Sequence, residues 1–370
     1  MNLRAIAAAF PLFVATAALT AQNSLADLQQ QFAGEAMALA GRNPTREQRE
    51  QLLARHTERL AQFVAGTAQG DDRWNGRMML AELRLQAGDR KGAGEVLAAI
   101  DPDQAPALVL VTAATLAQHL GNKELRTRQI EAGVGKPAPL ADRLAIARLL
   151  TTVLVEVKRG EKVFTEALAA ATDDEQRALV RFHRADSMRD REDLPGNESF
   201  DELGKLAQDL PGTYWGSVAK DRLAATDLKV GAKALPLVAK LPGGGEFSLA
   251  QQQGKGVVLV FWSSGDRDLP TLLTLLKEQV RQHAGKLAVL GICLDRDAAA
   301  TAAAVQRLGF EFPTVGDGRG IETDVAMRWF VEGPLVHVVD AAGNMAALRL
   351  HAGTNDARNE LLAAIAAAVK

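Results

Sequence analysis

Two patterns of apolar and polar positions divide this chain of 370 residues. From residue 24 to about 225, apolar residues recur every three or four positions, the spacing that gathers them on one face of an α-helix. Ser24 and Asp27 flank a helix opening that continues to about residue 40; Asn43-Pro44-Thr45 then breaks the pattern, and a second helix is expected over 45–65. A polar loop is expected at 70–72. Met78, Leu80, Ala81, Leu83 and Leu85 form one apolar stripe, Gly88-Asp89-Arg90-Lys91 a turn, and Ala93, Val96, Leu97 and Ile100 a second stripe. Further helices are expected over 105–120, 122–133, 140–158, 161–171, 175–188 and 200–210, with a charged, turn-rich loop at 189–198.

From residue 228 the pattern changes to short apolar runs separated by Gly and Pro, which reads as strands alternating with helices. Residues 257–262 (VVLVFW) and 287–295 (LAVLGICLD) are continuous runs suited to strands covered on both faces. Helices are expected over 270–282, 297–308 and 356–370, a short extended piece at 312–315, strands at 335–340 and 345–350 joined by a turn, and a hairpin-like lead over 235–249. The fold class expected is α+β multidomain. An N-terminal all-α, helical-repeat-like domain over 24–225 precedes a C-terminal α/β domain over 228–370.

Composition narrows the function. A 47% hydrophobic, 24% charged chain has the makings of an ordinary core, and a net charge of -2 gives no electrostatic ground for a nucleic acid partner. Residues 1–21 carry Arg4, an apolar run over 5–19 (AIAAAFPLFVATAAL) and small residues after it, which reads as a cleaved signal peptide. The mature protein is therefore expected to be exported, periplasmic or extracellular, without a transmembrane segment. Exported proteins live where disulfides persist, yet Cys293 is the single cysteine, so neither an intramolecular disulfide nor a cysteine metal cluster can form. The six histidines have no ligand spacing, Gly243-Gly244-Gly245 lies in the hairpin lead, and no cofactor or metal is expected. On its apolar run Cys293 reads as a small buried hydrophobe.

Leu85-Gln86-Ala87-Gly88-Asp89 between two stripes resembles a tetratricopeptide hairpin, as does the stretch 210–223, although no strict period of about 34 residues recurs. The C-terminal part resembles the thioredoxin-like superfamily, in particular its exported thiol–disulfide and alkyl-hydroperoxide-reductase-like redoxin branch. The landmarks are Lys229-Val230-Gly231, Phe247-Ser248-Leu249, Gly254-Lys255 with 257–262, the run 290–295, Phe312-Pro313-Thr314-Val315-Gly316-Asp317, and Val331-Glu332-Gly333-Pro334 followed by 338–343. The resemblance implies a thioredoxin fold and a cis-proline loop at Gly333 and Pro334. It also implies a redox pair, Cys-x-x-Cys, after Phe261-Trp262, at a helix start where the thiolate is stabilised.

That pair is missing. Ser263, Ser264, Gly265, Asp266, Arg267 and Asp268 form a shorter loop before Pro270, without cysteine. Thiol–disulfide exchange and peroxide reduction both require a thiolate, so no catalytic residue is assigned there. Ser264 or Asp266 is expected to cap the following helix, and Asp266 with Asp268 alone offers too few oxygen ligands for a metal. Pro334 is expected either as a turn requirement or as part of a surface that still adds an extended peptide. The function expected is a catalytically degenerate thioredoxin-fold protein with a helical scaffold that binds a protein or peptide in the cell envelope. The alternative, by family resemblance, is a thiol–disulfide oxidoreductase or peroxiredoxin-like antioxidant enzyme.

Overall fold

The computed structural model describes residues 24–370 except 41, 43, 67–69, 190, 192, 195 and 352. The expected signal peptide over residues 1–21 lies outside the described residues. The described residues divide into two compact units, 24–202 and 203–370.

The first unit is helical: α1 (Leu25–Ala40), α2 (Arg46–Gly66), α3 (Gly70–Gln86), α4 (Arg90–Ala98), α5 (Ala107–Leu120), α6 (Lys123–Val134), α7 (Leu140–Arg148), α8 (Val157–Ala169) and α9 (Asp174–Met188), with α10 (Glu198–Asp209) crossing the division. Neighbours pair as antiparallel hairpins, α3 with α4, α5 with α6 and α7 with α8, while α3 also packs on α5, α5 on α7 and α7 on α9. Glycine allows the closest of these approaches. A Cβ at Gly133 would lie 3.0 Å from the Ala107 carbonyl oxygen of α5, and one at Gly160 would lie 2.9 Å from that of Ala147 in α7.

Two expectations fail in this unit. The polar residues at 70–72 open α3 instead of forming a loop, and Asp71 and Asp72 suit the positive end of a helix. The single helix expected over 140–158 is broken. α7 passes into a π-turn at Leu149–Val153, Val155 then takes a left-handed conformation with φ 56°, and α8 starts afresh at Val157.

The second unit begins inside α10 and includes α11 (Tyr214–Thr226), whose N-cap Thr213 accepts from the Gly216 N–H at 3.0 Å. A hairpin follows, β1 (Val238–Lys240) with β2 (Glu246–Ser248). The body of the unit is a sheet of β3 (Gly256–Trp262), β4 (Leu287–Cys293), β5 (Thr314–Val315), β6 (Leu335–Val339) and β7 (Met345–Leu350), in the order β5-β4-β3-β6-β7. β3, β4 and β5 are parallel, and β6 and β7 run antiparallel to their neighbours. Helices α12 (Leu269–Gln282), α13 (Ala298–Leu308), α14 (Asp324–Arg328) and α15 (Asn355–Ala368) complete it. This is the thioredoxin-like arrangement that the C-terminal landmarks imply.

Alternation along β3 shows why all its residues are apolar. Val258, Val260 and Trp262 join the core made with α12 and α15, whereas Val257, Leu259 and Phe261 join the core made with α14, the hairpin and Ala225 of α11. α11 is tied to α14 by polar contacts as well. Tyr214 Oη donates to Asp324 Oδ1 at 2.7 Å, and Arg328 donates to Asp324, Ser217 and Asp221 at 2.9, 2.9 and 2.6 Å. The short α14 was not foreseen, because five residues carry too little periodicity to read.

Candidate functional site

Register fixes what meets at the end of β3. Phe261 is opposite Leu335, the first residue of β6, so the loop that leaves β3 lies beside Pro334. β6 is in turn paired with β7, Val336 opposite Leu350, which brings His351 to the same end. Ligand crevices in such sheets open at the carboxyl ends of the parallel strands. Here a cleft of about 210 Å³ is lined by Asp266, Asp268, Leu272, Pro334, His351 and Gly353.

The loop is held by its own backbone. Ser264 N–H donates to both carboxylate oxygens of Asp295, at 3.1 and 3.2 Å, and Asp266 N–H to the Ser263 carbonyl at 3.1 Å. Asp266 Oδ1 accepts from the Asp268 N–H at 3.0 Å. This Asx turn uses the carboxylate that was expected to cap α12. The expected cap is therefore absent: Asp268 occupies the N-cap position, and no side chain makes a cap hydrogen bond there. Ser264 cannot serve either, since the Asp295 tether holds it well ahead of Leu269.

The proline loop also differs from expectation. The peptide bond between Gly333 and Pro334 is trans, as every described peptide bond is. Trans is the lower-energy state of an X–Pro bond, and this loop makes its tight turn earlier, at Phe330, where φ is 51°. The Pro334 carbonyl accepts from His351 Nδ1 at 3.1 Å; since a carbonyl only accepts, that ring nitrogen carries the proton. Across the cleft, Gly353 backs onto Asp268 so closely that a Cβ there would lie 2.8 Å from Asp268 Oδ2. Arg358 donates to the Gly353 and Thr354 carbonyls at 3.4 and 3.3 Å.

Of the residues singled out in the sequence, the structure brings Asp266, Asp268 and Pro334 to one cleft. Ser263, Ser264, Gly265, Arg267 and Gly333 are not among its lining. His351 and Gly353 carry no local signal of a site, and reach the cleft only through the β6–β7 pairing. Neither Asp266 nor Asp268 has an ion-pair partner among the described residues, and no group of His, Cys, Asp and Glu there could hold a metal.

Cys293 lies elsewhere. It ends β4, opposite Trp262 and on the far side of β3 from β6, fully buried. Thr301 Oγ1 donates to its sulfur at 3.4 Å, and burial pushes the thiol up to about 11. At neutral pH it is a protonated core side chain. His337, opposite Leu259, is 2% exposed, and its Nδ1 accepts the Arg349 N–H at 3.1 Å where Arg349 has φ 53°. Burial lowers its basicity to about 4, so the ring is neutral and structural.

No protein-family model matches the chain, and no curated protein does. Solved structures do. A proposed thiol:disulfide interchange protein, DsbE, of Chlorobium tepidum shares 21% identity over 39% of this chain and 99% of its own, with a TM-score of 0.35. The thioredoxin domain of a thiol-disulfide oxidoreductase of Bacteroides vulgatus shares 21% over 37% and 99%, with a TM-score of 0.32. A secreted Mycobacterium tuberculosis disulfide oxidoreductase homologous to Escherichia coli DsbE shares 21% over 35% and 95%, with a TM-score of 0.30. Fold likeness alone does not carry an activity; the chemistry belongs to the site.

Proposed function

We propose that this protein is an exported, non-catalytic binding protein. In this reading the thioredoxin-like domain over 228–370 takes an extended protein or peptide segment at the Asp266–Pro334 cleft. Residues 24–225 serve as a tetratricopeptide-like scaffold, with α11 docked on the domain it leads into. The observation that carries the reading is the content of the cleft: carboxylates and a histidine occupy the place where a redox pair would stand, while the sole thiol is buried across the sheet. Exchange requires an accessible thiolate, whereas a segment laid against backbone and carboxylates requires none.

The unpaired Asp266 and Asp268 favour a segment that brings a basic residue. The discriminating experiment pairs two assays on the purified mature chain. Peptides carrying Lys or Arg should bind and shift the amide signals of 264–268, 333, 335 and 336, while insulin reduction and peroxide turnover stay at background. Turnover that survives Cys293→Ser would overturn the proposal in favour of an oxidoreductase.

A further inference from the structure

The C-terminal unit holds a second, larger cavity at the other end of β3. Its volume is about 410 Å³, within the range of roughly 300–1,000 Å³ usual for small-molecule sites. The cavity lies where β3 begins and β6 ends, between the lead segment before β1 and the turn after β6. Leu235, Pro236, Leu249, Val257 and Val339 give it apolar walls, and Val257 and Val339 belong to the sheet itself. Its polar lining is Gln252 and Gln253, which are uncharged, and three charged side chains, Lys233, Lys255 and Asp340.

These three charges do not cancel. The Asp340 carboxylate is spent on its own turn, where Oδ1 accepts from the Ala342 and Asn344 N–H groups at 2.9 and 2.8 Å. Lys233 Nζ donates to the Ala342 carbonyl at 2.8 Å, a contact that leaves its charge uncompensated and further protons to donate. Lys255 is exposed and has no acidic partner among the described residues. The cavity is therefore an apolar chamber with a cationic mouth.

We propose that it binds a small amphiphilic monocarboxylate, an unbranched aliphatic acid of medium chain length, with the chain among Leu235, Leu249, Val257 and Val339 and the carboxylate at Lys255 and Lys233. The apolar walls recognise methylenes, and the mouth selects an anion over a cation of the same length. This site is independent of the cleft at the opposite end of the sheet, and the inference does not rest on the function proposed for that cleft.

Calorimetric titration of the full chain with hexanoate, octanoate and decanoate tests it. Affinity should rise about fourfold for each added methylene until the chamber is full. Octylamine should bind more weakly than octanoate. Lys255→Glu should weaken octanoate about tenfold by reversing a charge at the mouth, and Ala342→Trp, on the exposed rim, should abolish binding. Gln282→Ala, on α12 and outside the cavity lining, should leave octanoate affinity unchanged. Affinity that is flat with chain length, octylamine as tight as octanoate, no detectable binding, or full affinity in Lys255→Glu would each overturn the proposal. Should Ala342→Trp fail to fold, the exposed Lys255 variant and the chain-length series still decide.

Discussion

Strand β3 and the loop that follows it are consecutive in the chain and opposite in character. Every residue of β3 is buried, and each side chain from Val257 to Trp262 faces one of two apolar cores. In the loop, Gly265, Arg267 and Asp268 are exposed, and the contacts that fix its path are backbone hydrogen bonds to Asp295, Ser263 and Asp266. The strand is constrained by volume, since close-packed interiors tolerate neither gaps nor surplus atoms. The loop is constrained by those few hydrogen bonds and by where its ends must go, not by packing volume. A sheet can therefore be kept while the chemistry at its end is replaced.

The largest effects should follow from substitutions in the strand. Leu259 is fully buried between the core of α14 and the neighbouring strands, and Leu259→Ala should cost about 2–5 kcal/mol by leaving a cavity. A urea titration followed by tryptophan fluorescence measures it. A loss below about 1 kcal/mol would mean that the sheet can collapse around the gap and that the strand is no more constrained by volume than the loop.

The pH response of the same core comes next. His337 takes up its proton near 6.5 when the chain is unfolded, but only near 4 in the folded unit, because burial penalises the charged ring. Stability is fully present above the unfolded value and is lost as pH falls from 6.5 through 4, by on the order of 3 kcal/mol in all. Unfolding midpoints measured at several pH values should show this slope, and His337→Gln should flatten it. The half-buried Glu82 of α3 predicts the reverse in the helical unit. Burial raises its carboxyl from 4.5 to about 7, so that contribution is lost as pH rises through this range.

A smaller effect belongs to Gly291, where β4 passes under the Trp262 indole. A Cβ there would lie 2.8 Å from Thr314 Oγ1 and 3.2 Å from Trp262 Nε1, so Gly291→Ala should cost about 1–3 kcal/mol through overpacking. Smaller still, Asp266→Asn and Asp268→Asn should each leave the denaturation midpoint within about 0.5 kcal/mol of the parent. Asn keeps the Oδ1 that accepts the Asp268 N–H in the Asx turn, so each substitution removes a charge without removing a contact that holds the loop.

How much of this was readable in advance follows the same division. Residues 257–262 announce β3 because burial on both faces leaves an uninterrupted apolar run, and the alternation of Ile292 and Cys293 about β4 is equally visible. The break after α7 was not, because Val155 adopts a left-handed conformation with no glycine to signal it. The cleft was half visible. Asp266, Asp268 and Pro334 stand out as departures from a familiar pattern, whereas His351 and Gly353 are ordinary residues made local only by strand pairing. Neither the trans bond at Pro334 nor the Asx turn at Asp266 is encoded in residue type; both depend on the path of the loop.

The smallest expected effect is the sharpest test of the contrast, because it asks whether the loop can support thiol exchange when given two cysteines. Ser264→Cys with Arg267→Cys places a Cys-x-x-Cys pair after Phe261 and Trp262. An exchange-competent thiolate needs positive potential from a helix N-terminus or a neighbouring cation. Position 264 has the opposite surroundings. Its N–H is already committed to the Asp295 carboxylate at 3.1 Å, and α12 begins only at Leu269. A thiol there sits close to a negative charge and outside the first helical turn, so its pKa should remain at or above about 8.5. Insulin reduction by the double variant should stay at background while the fold persists. A thiol titrating below about 7.5 together with measurable turnover would show that the loop still holds the geometry of exchange, and that the missing cysteines alone separate this protein from a redox enzyme.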